Sequence, residues 1–182
     1  MVVTTTVTSM DTEQRGFPPN NADERTTLLA FLDWHRDTLR IKTGGLDAAQ
    51  LDTAHPPSDL TLGGLLKHLA YVENWWVRSV MAGHDDEPWH SVDWKADNDW
   101  DWHSAKDDTP EQLRALYEEE VARADEVIAS LASLDAESAR ASGRTGGHFN
   151  LRWVLVHLVE EYARHNGHAD LIREAIDGSV GQ

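Results

Sequence analysis

The chain has 182 residues, a length that suits one domain able to bury about two-thirds of its unfolded surface. Its formal charge of −16 argues against direct binding to nucleic acid or anionic membranes, since both present negative surfaces. Cysteine is absent, which excludes disulfides, a thiolate nucleophile and Cys-ligated zinc and fits a reducing cytoplasm.

No apolar run approaches the ~20 residues of a membrane span. The N-terminal stretch MVVTTTVTSMDTEQRGFPPNN lacks the basic start and apolar centre of a signal peptide, and residues 1–22 are expected to form a flexible leader. The first helix is expected from about Asp23 to Lys42. Leu28, Leu32, His35 and Leu39 recur there at helical spacing, with Gly44 as the stop. The second is expected from about Thr61 to Ala82, on a stripe of Leu62, Leu65, Leu69, Val72, Trp76 and Val80. Glu73 falls inside that stripe, where a hydrogen-bond network would have to receive it.

Residues 84–108, HDDEPWHSVDWKADNDWDWHSAKDD, form a long acidic connection carrying Trp89, Trp94, Trp100 and Trp102. Connections this long in a compact domain are usually functional or disordered, and four indoles argue against disorder. The plainer reading is a strap whose indoles cover the side of the helices; the sharper one is the wall of a cavity. A third helix opens at Thr109-Pro110-Glu111-Gln112, a capping box with proline at the first helical position, and runs to about Leu131. Residues 142–150, SGRTGGHFN, resemble no phosphate-binding motif, since no strand is expected before them and no GK[ST] follows, and they are expected to form a flexible lip. The fourth helix starts after Asn150, a good N-cap, and ends at Asp177-Gly178. With no convincing alternating strand anywhere, the pattern predicts an all-α four-helix bundle over 23–178, followed by a tail at 179–182.

Helix four carries the chemistry. Its segment HLVEEYARHNGHADLIRE places His157, Glu161, His165 and His168 on one side. At about 100° per residue, Leu151, Val154, Leu155, Leu158, Tyr162, Ala169 and Ile172 define the core-facing stripe. His165 falls near the middle of that stripe and Glu161 on its shoulder; His168 and then His157 lie further round. A buried carboxylate beside an imidazole is costly unless paired, and a divalent cation is one economical partner. A hydrogen-bonded Glu161–His165 pair is the bland alternative, and the spacing does not separate the two. His157 and His165 lie two turns apart, about 12 Å, too far to share an ion. Elsewhere, His68 lies on the edge of the second helix's stripe. His35 lies within the first and reads as a packed residue. His55, His84, His90, His103 and His148 fall in loops. Arg152, Arg164 and Arg173 read as surface charges.

The segments LTLGGLLKHLAYVENWWVRSVMAG and LRWVLVHLVEEYARHNGHADLIREAIDG together resemble the DinB/YfiT-like superfamily, in its actinobacterial-type branch related to mycothiol-dependent maleylpyruvate isomerases and thiol S-transferases. The resemblance runs from about Glu24 to Gly178. It implies a four-helix bundle holding a divalent metal, zinc or nickel, on His68, Glu161 and His165, with His168 as a substrate or proton-handling residue. It also implies a low-molecular-weight thiol such as mycothiol as co-substrate, an electrophilic small-molecule partner, and S-transfer or isomerisation; a homodimer stays open. The rival expectation is a non-catalytic metal- or small-molecule-binding bundle with a stress-response role. His157 is the rival ligand to Glu161 or His165.

Overall fold

The computed structural model describes residues 15–180. Helix α1 spans Glu24–Thr43 and starts where the Asp23 carboxylate accepts the Thr26 N–H at 3.0 Å. Its C-terminal Gly44 is extended, and the left-handed residue is the next one, Gly45, at φ 72°. A short α2, Ala48–Leu51, follows. Helix α3 spans Leu62–Glu73, capped by Thr61 onto the Gly64 N–H, and runs without a break into a π-helical segment, Asn74–Met81. Gly83, at φ 78°, turns the chain out. Helix α5 spans Pro110–Ser130 behind the Thr109–Gln112 capping box. Helix α6 spans Leu151–Asp177, from the Asn150 cap to Gly178 in the left-handed conformation.

The four long helices expected from the periodicity are therefore present, and most of the described chain is helical. One element departs from an all-α chain. Strands β1 (Glu137–Ala141) and β2 (His148–Asn150) form an antiparallel hairpin, with Glu137 opposite Asn150 and Ala141 opposite His148 around an irregularity. The expected lip at 142–150 is thus partly strand. It escapes period-2 reading because ESARA offers no apolar alternation and the second strand is three residues long. The hairpin packs on the π-helical segment. The leader expected over 1–22 falls mostly outside the described residues; Arg15 lies over the Trp34 ring at 4.1 Å, and Phe17 meets it edge-on. No helix among the described residues is long and apolar enough to cross a membrane.

Helix α1 packs on α6, and α3 packs on α5, α6 and α1. Their shared core takes Leu32 and Leu39 from α1, Leu65 and Leu69 from α3, and Leu155 and Leu158 from α6, all fully buried. Each such leucine stabilises the fold by about 1.5–3 kcal/mol. One polar node runs through this core. Arg36 of α1 forms a bidentate pair with Glu73 of α3, at 2.7 and 2.8 Å, with neither exposed by more than 1%. Tyr162 of α6 donates to Glu73 at 2.9 Å and shares a 2.9 Å hydrogen bond with Tyr117 of α5. Glu73 thereby has the network its position in the stripe demands, and all four long helices meet at it. Because each contact is directional, the node fixes how the helices align along their axes, which apolar packing alone does loosely.

Candidate metal centre

The inward face of α6 meets α3 at three side chains. His68, Glu161 and His165 each offer a ligand atom, and these atoms all lie within 4.8 Å of one another. His165 is buried, as the middle of the apolar stripe requires; His68 and Glu161 are partly exposed, as its edges require. The rings of His68 and His165 lie edge to face, centroids 4.8 Å apart. Glu161 is divided between neighbours: one carboxylate oxygen is 3.4 Å from His165 Nε2, and the other is 3.4 Å from His157 Nε2.

Each imidazole has its second nitrogen occupied from behind. His68 Nδ1 lies 2.7 Å from the Asp101 carboxylate, itself only 3% exposed. With the proton on Nδ1 donated to Asp101, the Nε2 lone pair of His68 is left free. His165 Nδ1 lies 3.4 Å from His168 Nδ1 while its Nε2 faces Glu161. The His165 imidazole holds the Glu161 carboxyl below its usual range; partial burial works the other way, and the charges of His157, His165 and His68 add to the lowering. Burial, then the neighbouring His165 and Arg164, pushes the His168 pKa down, which favours the neutral ring.

The strap between α3 and α5 supplies the rest. Short α4, Trp100–His103, carries both Asp101 and Trp102. The Trp102 indole stacks on His68 at 4.3 Å and lies 5.5 Å from the His165 ring, so it walls the site. Gly64, one turn before His68, makes this approach feasible: a Cβ there would sit 2.9 Å from Trp102 Cε3. Trp89 has the other role; it is buried and donates to Glu120 at 3.0 Å, while Trp94 and Trp100 pack against the core. The strap reading therefore holds for Trp89, Trp94 and Trp100, while Trp102 lies against the candidate ligands.

Two imidazoles and a carboxylate with these separations suit a borderline divalent cation such as zinc, which takes nitrogen and oxygen ligands at about 2.0–2.2 Å. A buried carboxylate behind one histidine is the outer support such a site requires. A family model described as mycothiol-S-transferase matches residues 27–178. The chain belongs to that family, within the DinB/YfiT-like superfamily. No curated protein matches it. The family match runs from the first turn of α1 to the end of α6, so it includes every residue of the candidate centre.

The other histidines of this family member separate clearly. His35 lies 3.4 Å from the Asn166 amide, and burial lowers its pKa. His157 does not join His68 and His165; it forms a second group with Glu160 and Glu161 and lies between Trp76 and Trp153. Of the three arginines read as surface charges, Arg173 is the exception: it is buried, bonded to the Lys42 and Gly44 carbonyls and to Asp177. Asp101 is the site residue that sequence reasoning missed; Trp102 was named only as one of four strap indoles, without its place on His68. The segment DWDWH holds an acid between two indoles, but nothing local says that this acid turns toward α3.

Proposed function

We propose that the chain is a divalent-metal-dependent S-transferase on a DinB-like four-helix bundle, with 23–178 as the working unit, 1–22 as leader and 179–182 as tail. In this reading His68, Glu161 and His165 hold the cation, zinc or nickel, and a low-molecular-weight thiol of the mycothiol type is co-substrate. The observation that carries it is the convergence of those three side chains within 4.8 Å, with Asp101 hydrogen-bonded behind His68. The family's name supports the transfer chemistry and the thiol. The absence of cysteine agrees, because the sulfur has to come from outside the chain.

A divalent cation there supplies positive charge that favours the ionised form of a thiol brought beside it. The chain's own groups prepare this. Asp101 fixes the His68 tautomer so that Nε2 points its lone pair inward. If His165 offers Nε2, its Nδ1 must carry the proton and donate to His168 Nδ1. His168 then keeps its own proton on Nε2. That makes it a positioning residue for His165 and a hydrogen-bond donor toward substrate, not a base. Trp102 excludes water from one side of the site. The thiol proton leaves to solvent, sulfur forms a bond to the electrophilic carbon, and the displaced electron pair leaves with the departing group. With an activated alkene the pair is instead taken up by a proton, and elimination after rotation gives isomerisation.

The test is metal content and thiol affinity on untagged protein. His165→Ala is expected to abolish metal binding by elemental analysis, and calorimetric binding of mycothiol is expected to require the metal. A His165→Ala protein that is fully loaded and fully active would remove this residue from the centre. Thiol affinity that is indifferent to the metal would favour a non-catalytic binding protein.

A further inference from the structure

Beside the centre lies an open cleft of about 570 Å³ that the reading above leaves unused. Its floor is aromatic. Trp76, from the π-helical segment, Phe149, from β2, and Trp153, from α6, form a mutual cluster with ring centroids 4.6–5.2 Å apart. Trp153 is 45% exposed, a large apolar surface to leave in water. The rim is the β1–β2 turn, with Arg144, Thr145 and His148. The cleft leads to the centre through one side chain. His157 stacks on Trp153 at 5.0 Å, meets Trp76 edge-on at 4.6 Å, and reaches Glu161 at 3.4 Å.

Charge on the rim sets what fits. In a chain of net charge −16 with 16 Lys and Arg against 32 acids, cations are scarce and mostly paired. The other arginines of the described residues each have a hydrogen-bond or ion-pair partner for the guanidinium, among them Arg140 on Asp85, Arg152 on Glu24 and Asp135, and Arg164 on Glu160. The Arg144 side chain has none among the described residues; only its backbone N–H is bonded, to Ser142. An unpaired guanidinium beside the exposed Trp153 indole offers a planar π surface and a fork for a carboxylate in one place.

We infer that this cleft is the acceptor subsite, and that it takes a planar aromatic electrophile bearing a carboxylate. The ring stacks on Trp153 and Trp76, the carboxylate meets Arg144, and the reactive carbon is directed past His157 toward Glu161. This inference rests on the S-transferase reading for its meaning, but the cleft's binding is separable from it. His157 then acts as the partition between acceptor and metal ligands, which accounts for its position outside the metal group despite its contact with Glu161.

The experiment titrates the full chain with two unreactive probes, 3,5-dinitrobenzoate and 1,3-dinitrobenzene, by calorimetry, with metal content recorded. The carboxylate probe is expected to bind about tenfold tighter, the range of one charge-assisted pair. Arg144→Ala should abolish that preference and leave the neutral probe alone. Trp153→Ala should weaken both probes. Arg144 is exposed and Trp153 is 45% exposed, outside the buried core, and circular dichroism verifies that the variants keep the fold. Equal binding of both probes by the parent chain, or a preference that survives Arg144→Ala, would overturn the inference. A cleft that binds as expected in a chain holding no metal would keep the subsite and sink the transferase reading; a metal-loaded, thiol-binding chain that ignores both probes would do the reverse.

Discussion

Asp101→Asn is the sharpest perturbation of the centre, because it alters one atom type at a residue that no ligand reading of the helices includes. In the parent chain the carboxylate lies 2.7 Å from His68 Nδ1 and is 3% exposed, so its hydrogen bond forms largely out of water. An asparagine there keeps the shape and loses the charge. Its carbonyl can still accept from Nδ1–H, but a charged acceptor makes roughly twice the bond of a neutral one. If the amide turns its NH2 to the ring instead, the proton moves to Nε2 and His68 cannot be a ligand at all. Loss of such an outer support typically costs about 10–100-fold in metal affinity, about 1.4–2.7 kcal/mol by the affinity relation. Competition against a chromophoric zinc chelator at fixed pH reads this directly, with stoichiometry from elemental analysis. On the proposed reading, the parent and Asp101→Asn both take one ion per chain, the variant at a dissociation constant raised within that range. Folded Asp101→Asn protein that binds zinc with parental affinity would refute the reasoning, since His68 would then not need its tautomer held.

The fold and the site make three further predictions. Arg36→Met strands the fully buried Glu73 carboxylate against Tyr162 alone, and should cost about 3–5 kcal/mol in urea denaturation; a loss under 1 kcal/mol would mean that the node does not hold the helices together. Gly64→Ala puts a methyl 2.9 Å from Trp102, so the indole must leave His68, with an expected cost of about 1–3 kcal/mol and weaker metal binding; parental affinity would show that Trp102 does not shape the centre. The Arg78 guanidinium, hydrogen-bonded to Asp86 at 2.8 and 3.0 Å, holds that carboxyl below its ordinary value, with burial opposing. A depressed folded-state value means stability that is complete above the ordinary aspartate pKa and is lost as pH falls through the folded one. Asp86→Asn should therefore be less stable than the parent at neutral pH and converge with it in acid; a gap independent of pH would contradict the pairing.

Helix limits were legible because they are written in short-range chemistry. Asp23, Thr61, Thr109 and Asn150 each satisfy a backbone N–H three residues on, and their own residue type announces it. The α6 half of the centre was legible for a related reason: Glu161 and His165 are four apart, so one helix decides that they share a face. What crosses the chain was not. The π-helical register of Asn74–Met81 widens the turn by one residue per bond, yet its apolar pairs Trp76/Val80 and Val77/Met81 are four apart, a spacing that also fits an α-helix. The hairpin is held by backbone pairing and the Ser138 hydroxyl, neither of which leaves an apolar alternation.

Asp101 shows why the difference lies in the physics rather than in the amount of pattern available. Its orientation depends on short α4 lying along α3, and that depends on Trp89, Trp94 and Trp100 finding core surface and on Gly64 leaving room for Trp102. Lys67, on α3 next to His68, adds a tether: its ammonium contacts the Asp108 carboxylate and lies 4.5 Å over the Trp100 ring, pinning both ends of the α4 turn to the helix that bears His68. The contacts of Gly64 with Trp102 and of Lys67 with Asp108 and Trp100 each join residues more than 30 apart in sequence, so none imposes a period. The acids of the strap, which by composition look like a solvated surface, are instead sorted by where the indoles anchor the chain: Asp101 turns inward and Asp97 outward to exposed His103. The support for His68 is thus a consequence of tryptophan packing, and a strap with the same acids but without its anchors would leave the imidazole free to take either tautomer and the proposed centre without a defined third ligand.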